Sequence, residues 1–348
     1  MSSKVTVLGA GAMGSALATP FRAAGWEVAL WGTWLDDHLL EACAAGRPHP
    51  RTDVPLAQGT ELFDSEHLAQ ALQGARVCVL AVASEGVTVV ARLALAGIAE
   101  TGALLLTSKG FSADERGQVR LLPDALRELA AEHGATLPPI VAVGGPCKAN
   151  EVAAGTWTAT IFGCLDRPVA EHHAAALGTD VYRPEVTDDE TGVEICAPMK
   201  NVYAIALGMA DGLEERHGHP FHDLKAAVFT QSVRELGVIC RLVGGRPETA
   251  IGLAGVGDLE VTGLSGRNKV YGSRVGRGEA ADEALAAMTA AEQTVEGVPA
   301  ARLAADLIRQ RDPSAWDSLP LMSAILGVID GHEDPVESVV SAVLPARP

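Results

Sequence analysis

The chain has 348 residues, 48% hydrophobic and 20% charged, which excludes a disordered protein and fits about two domains at roughly 150 residues each. Its 27 Lys and Arg against 44 Asp and Glu give a net charge of -17; such a surface repels nucleic-acid backbones but leaves small phosphorylated ligands open. The longest apolar runs, such as 77–83, fall far short of the roughly 20 residues of a membrane span, and no signal peptide fits the start, MSSK.

In chain order, 4–8 (KVTVL) predicts a strand, followed by a glycine loop and an apolar-periodic helix over 12–24. A second strand is expected at 26–31, with further buried strands at 75–82, 103–108 and 140–143 and Ala- and Leu-rich helices between them. Alternating strands and helices, with strands apolar throughout, predict an α/β fold built on a parallel, doubly wound, Rossmann-like sheet. The texture changes near residue 185. Helices are expected at 191–213, 222–243, 281–289, 297–310 and 319–330, the first capped from the run 188–191 (DDET). The domains are therefore set as 1–187, dinucleotide-binding, and 188–348, an all-helical substrate domain. Residues 313–318 are expected as a loop and 345–348 as a frayed end. The six cysteines, Cys43, Cys78, Cys147, Cys164, Cys196 and Cys240, show no CxxC spacing and read as reduced thiols of a cytoplasmic protein.

Gly9-Ala10-Gly11-Ala12-Met13-Gly14 is GxGxxG between a strand and a helix. The first glycine makes the turn, the second lets backbone approach a pyrophosphate, and the third packs helix on strand, with the helix N-terminus facing the anion. An acid at the end of the second strand would bind a ribose 2′-OH and repel a 2′-phosphate. This chain has Gly32-Thr33-Trp34 there. Thr33 can donate to a phosphate, Arg47, His49 and Arg51 follow near the same edge, and a helix should carry Asp36 and Asp37 away. These residues favour NADP over NAD.

Four further segments carry chemistry: Ser108-Lys109-Gly110-Phe111 and Gly144-Gly145-Pro146 at strand ends, Lys200-Asn201 inside an otherwise apolar helix, and Gly257-Asp258-Leu259 with Gly266-Arg267-Asn268, which bracket a short loop. A lysine and an asparagine embedded in that helix must face a partner or a cleft. Together with TVEG at 294–297, this ordered series resembles the NAD(P)-dependent glycerol-3-phosphate dehydrogenase family over nearly the whole chain. The WGT at 31–33 and the AGRPHPR run resemble its archaeal branch.

The resemblance implies reduction of dihydroxyacetone phosphate to sn-glycerol 3-phosphate for phospholipid synthesis. Lys200 would be the proton donor and acceptor, with Lys109 beside the nicotinamide and substrate. Gly145, Asn201, Asp258 and Gly266 would line the substrate, Arg267 and Asn268 would hold its phosphate, and Ala149, Arg267 and Glu296 would lie on the cofactor side. The chemistry agrees: hydride addition to a ketone creates an alkoxide that an ammonium stabilises and protonates. Two lysines close together should lower each other's pKa. An arginine suits a phosphate dianion. Departures from the family pattern, Cys147, Lys148, Pro198, Gly266, Asp223 and Gln231, leave open another phosphorylated or acidic ketone. Pro198 should bend its helix. A non-catalytic dinucleotide sensor is the alternative of a different class. A nucleophilic Cys147 is weaker than ketone reduction, and His217, His219 and His222 with Asp223 read as solvated loop side chains rather than Zn or Ni ligands, so no metal is expected. The partners implied are a small phosphorylated substrate, no nucleic acid and no membrane span, with a homodimer left open.

Overall fold

The computed structural model describes residues 3–332 and 334–345; the end of the expected frayed tail, 346–348, lies outside them. Its strands are β1 (Lys4–Leu8), β2 (Glu27–Trp31), β3 (Thr60–Phe63), β4 (Ala75–Leu80), β5 (Ala103–Leu106), β6 (Phe111–Ala113), β7 (Val119–Leu121), β8 (Ile140–Gly144), β9 (Thr158–Gly163) and β10 (Tyr182–Thr187). Eight form one sheet in the order β10-β9-β8-β5-β4-β1-β2-β3, and β6 pairs with β7 in a ribbon. Successive side chains of a strand take opposite faces. On β4, Val77 and Val79 pack with Ala16, Leu17 and Phe21 of the helix Ala12–Ala23, while Cys78 and Leu80 pack with Val87, Val90 and Ala94 of the helix Val87–Ala99. Helices cover both faces, which is why these strands are apolar without alternation.

The sheet is the expected parallel, doubly wound one except at one pair of strands. The six neighbouring strands β3, β2, β1, β4, β5 and β8 are parallel, as are β9 and β10, but β9 runs antiparallel to β8. The link between β8 and β9 holds only the short helix Ala149–Ala153 and brings the chain back from the edge where β8 ends. Gly145–Ala149 therefore stay at that edge. The segment 313–318, expected as a loop, is a 3₁₀ turn whose first donor is capped by Asp312.

The chain divides into two compact units, Met1–Ser112 with Leu121–Glu194, and Ala113–Arg120 with Ile195–Pro348. The expected boundary after residue 187 thus falls short of the observed one. The first turn of the helix Glu190–His217 counts with the first unit, where Glu190 accepts from Arg127 at 2.8 Å and Val193 closes on Gly163. Asp189 caps that helix by accepting from the Gly192 N–H at 3.0 Å. The tip of the ribbon belongs to the second unit, where Gln310 accepts from the Val119 N–H and donates to the Gly117 carbonyl.

Past Thr187 the described residues contain helices and turns but no strand. None of the described helices is long and apolar enough to cross a membrane. Pro198 does not interrupt the helix Glu190–His217; it lacks only the N–H that would bond the Glu194 carbonyl. Buried Glu235, on the helix His222–Leu242, accepts from the Leu321 and Met322 N–H groups at 2.6 and 2.8 Å and from the Tyr203 hydroxyl at 3.2 Å. One carboxylate thus caps the helix Pro320–Ile329 and ties it to the helix of Lys200.

A second device joins the helices Glu190–His217 and Arg267–Gly276. A Cβ on Gly208 would overlap the Lys269 carbonyl oxygen, and one on Gly212 that of Ser273. Reciprocally, Gly272 meets the Ile205 carbonyl oxygen and Gly276 that of Met209. Two glycine pairs at four-residue spacing let backbone lie on backbone. Lys269 adds an ion pair to Asp211 at 2.5 Å. Gly272→Ala forces the helices apart, because the colliding atom is main chain and cannot swing away. We expect a loss of about 2 kcal/mol or more and a fall in Tm of about 5 °C. Gly237→Ala, whose Cβ would meet only Pro247 at 3.8 Å, should be neutral or stabilising by thermal melt.

Candidate active site

In the first unit the loop after β1 has the geometry that its glycines predict. Gly9 has φ +114° and its Cβ would lie 2.8 Å from Val82 Cγ1, so only glycine fits. A Cβ on Gly14 would overlap the Gly9 carbonyl oxygen, which sets how closely the helix Ala12–Ala23 approaches β1. Gly11, Ala12 and Met13 are half-buried, and a Cβ on Gly11 would meet only the Arg51 guanidinium, at 3.7 Å. The helix start and this open backbone fit the pyrophosphate of a dinucleotide.

The end of β2 corrects two expectations. Asp36 is not carried away by a helix. It is buried, and its Oδ2 accepts from the Thr33 N–H and hydroxyl, both at 2.9 Å, and from the Ala10 N–H at 3.3 Å. The helix Asp37–Ala44 begins one residue later, so Asp36 stays in the turn. The Thr33 proton is thereby committed to Asp36 and the residue braces the loop instead of offering a free donor. Arg47 is exposed. His49 is buried beneath the loop and Arg51 stands beside Gly11.

Lys109 is half-buried just past β5. Its neighbours fix the segment: Ser108 donates to the Val82 carbonyl at 2.7 Å, and a Cβ on Gly110 would overlap the Ser84 side chain. Gly145, with φ +94°, turns the chain after β8, and Ala149 opens the next helix. Cys147 is half-buried in that turn, and Lys148 is exposed, 4.0 Å from Glu151. The sequence reading missed Glu194. Its Oε2 is buried without a hydrogen-bond partner. Burial pushes the carboxyl well above the usual range, the Glu190 charge adds to this, and the Lys109 charge opposes it. The one signal was an acid in an apolar helix, two turns before Lys200.

In the second unit, Lys200 and Asp258 come together: Nζ lies 2.5 Å from Oδ1, with the two side chains 10% and 1% exposed. Asp258 opens the helix Asp258–Leu264 directly after a π-helical turn, Leu253–Gly257, in which a Cβ on Gly255 would overlap the Ala250 carbonyl oxygen. The expected loop between the Asp258 and Arg267 motifs is mostly this helix. π-Turns widen the helix by one residue per turn and recur at functional sites; here one delivers the carboxylate.

Asn201 donates from Nδ2 to Glu296 Oε2, and Arg267 from Nη2 to Glu296 Oε1, both at 3.2 Å. Gly266 precedes Arg267 in extended conformation and starts its helix. Asn268 is buried, and its Oδ1 accepts from the Gly297 N–H at 2.8 Å, which commits the carbonyl to structure and orients the amide nitrogen. A Cβ on Gly297 would come within 2.5 Å of the Asn201 carbonyl oxygen, so the start of the helix Gly297–Arg311 is fitted against Asn201. Lys200, Asn201, Asp258, Arg267, Asn268 and Glu296 thus form one connected set. Gln231 stands apart from it, donating to Glu235 at 2.9 Å. The His217, His219 and Phe221 rings pack together, and among the described residues no group of three or more potential metal ligands is gathered.

The chain is similar to known proteins over nearly its whole length. Sequence models of the NAD-dependent glycerol-3-phosphate dehydrogenase N-terminus and C-terminus match residues 4–170 and 189–340. The NADP(+)-dependent glycerol-3-phosphate dehydrogenase of Archaeoglobus fulgidus is 37% identical over 281 residues, 81% of this chain and 82% of that protein. The glycerol-3-phosphate dehydrogenase [NAD(P)+] of Xanthomonas campestris is 32% identical over 337 residues, 96% of this chain and 92% of that one. The crystal structure of glycerol-3-phosphate dehydrogenase from Coxiella burnetii superposes with a TM-score of 0.82 at 26% identity, covering 98% of each chain. The chain belongs to the NAD-dependent glycerol-3-phosphate dehydrogenase family of oxidoreductases.

Proposed function

We propose that this protein interconverts dihydroxyacetone phosphate and sn-glycerol 3-phosphate, supplying glycerol phosphate for phospholipid synthesis in the cytoplasm. The observation that carries the reading is the buried Lys200–Asp258 pair joined to Asn201, Arg267 and Asn268. Burying an ion pair costs several kcal/mol per ion before its mutual attraction is counted, roughly. A dinucleotide sensor would gain nothing from that, whereas a ketone reductase needs an ammonium held where alkoxide charge develops. Lys200 gives its proton to the ketone oxygen during reduction and takes it back during oxidation. Asp258 fixes Lys200 Nζ, and Asn201 orients the substrate beside it. Arg267 and the Asn268 amide hold the phosphate. The bound dinucleotide supplies the hydride. Gly9, Gly11, Ala12, Met13 and Gly14 hold its pyrophosphate, with Lys109, Gly145 and Ala149 assigned by resemblance. The cofactor is NADP in preference to NAD, because Arg51 stands beside Gly11 while Asp36 is taken up by three donors of its own chain.

Steady-state turnover of dihydroxyacetone phosphate with NADPH and with NADH tests this directly. Arg267→Ala sharpens the test. Its side chain is 51% exposed, so we discount the value of a buried charge pair. KM for the phosphorylated ketone should rise about tenfold, or about 1.4 kcal/mol. Turnover of unphosphorylated dihydroxyacetone should hardly change. Equal loss on both substrates would remove Arg267 from the phosphate site.

A further inference from the structure

His49 is a buried side chain that the reaction does not use. It is 1% exposed, and both ring nitrogens are engaged. Nδ1 accepts from the Arg51 N–H at 3.2 Å, and Nε2 lies 2.9 Å from the Ala10 carbonyl oxygen. An acceptor at Nδ1 and a carbonyl at Nε2 are satisfied together only by the neutral ring with its proton on Nε2. Burial lowers the pKa of His49, the main cause, which keeps the ring neutral. The His49 backbone also closes the segment: its N–H donates to the Val54 carbonyl, and its carbonyl accepts from Thr52 and Asp53. Asp53 sits at φ +57°, where the chain reverses. One ring thus links the main chain of the glycine loop, at Ala10, to that of the residue whose guanidinium stands beside Gly11.

We propose that His49 is a positioning residue for cofactor choice: bonded to Ala10 and to Arg51, it holds the Arg51 guanidinium where the 2′-phosphate of NADP is read. The inference rests on the reading of Arg51 given above. A flexible arginine on a surface loop gains little from one phosphate, because ordering it costs side-chain and backbone entropy on binding. A loop pinned through the Arg51 main-chain N–H to the pyrophosphate-binding backbone has already met the backbone part of that cost. Asp36 and Thr33 brace Ala10 through its N–H, and His49 braces it through its carbonyl. The loop that meets the pyrophosphate and the arginine that meets the 2′-phosphate therefore share one support.

The test is calorimetric binding of 2′,5′-ADP and of 5′-AMP, which differ only in the 2′-phosphate and need no turnover. His49→Gln keeps an amide N–H for the Ala10 carbonyl and removes the acceptor for Arg51. It should weaken 2′,5′-ADP about tenfold and 5′-AMP less than twofold. His49→Asn, whose Oδ1 can replace Nδ1, should recover part of the discrimination. In an Arg51→Ala background, His49→Gln should add less than twofold. Retained 5′-AMP binding shows that each variant is folded. If Arg51→Ala lowers the 2′,5′-ADP preference but His49→Gln does not, the positioning role is overturned and the reading of Arg51 stands. Equal weakening of both ligands by His49→Gln also overturns it. If Arg51→Ala itself leaves the preference unchanged, the 2′-phosphate is not read at Arg51, and both fall.

Discussion

Lys200→Met should lower kcat by about a hundredfold or more while dinucleotide binding stays nearly unchanged, since general acid–base catalysis contributes about that much. The variant has a second effect. Asp258, 1% exposed, loses the lysine 2.5 Å away. Removing one partner of a buried ion pair costs about 3–5 kcal/mol, so Tm should fall by roughly 10 °C. The double variant Lys200→Met with Asp258→Asn removes both charges. It should regain most of the lost Tm and none of the activity. Steady-state kinetics beside thermal melts separate the two effects. Activity returning with stability would mean that Lys200 matters for folding alone.

Glu235→Leu should rank next. It leaves the Leu321 and Met322 N–H groups and the Tyr203 hydroxyl without their acceptor, all in buried surroundings. Each unsatisfied donor costs about 1–3 kcal/mol, for a total of at least about 3 kcal/mol. Glu235→Gln keeps one oxygen as acceptor and should lose about half as much. Denaturant melts check the ranking. Tyr203 lies three residues past Lys200, on the same helix, so Glu235→Leu should also lower kcat at temperatures well below its melting point.

Much of this was legible in the residues. The strand–GxGxxG–helix unit was, because its glycines are fixed by local turn geometry and by pyrophosphate chemistry. Lys200 and Asn201 stood out because polar groups in an apolar helix require partners. What stayed hidden depends on distant or weakly patterned contacts. β3, β9 and β10 are short or carry polar residues, with Pro184 inside β10. The reversal at β9 depends on how the link after β8 folds. Asp36 looked like the start of a departing helix, but one residue of turn keeps it against Ala10. The Glu235 cap joins residues more than eighty positions apart, and no local pattern encodes that. The glycine spacings 208/212 and 272/276 are visible in the sequence, but which helices they join is not.

That glycine crossing bears on how the protein can diversify. Where helices meet through side chains, each substitution in the seam resets their separation, and a catalytic group carried on one drifts relative to its neighbour. Here carbonyl oxygens rest where side chains would be, so the spacing between the helix of Lys200 and the helix of Arg267 is set by the thickness of the main chain. That thickness is the same in every sequence. Volume-conserving exchanges among Leu, Ile and Met at apolar positions elsewhere in the unit should then leave Arg267 in place relative to Lys200. A randomised-core library that spares the four glycines should yield many active members, whereas one that randomises them should yield almost none.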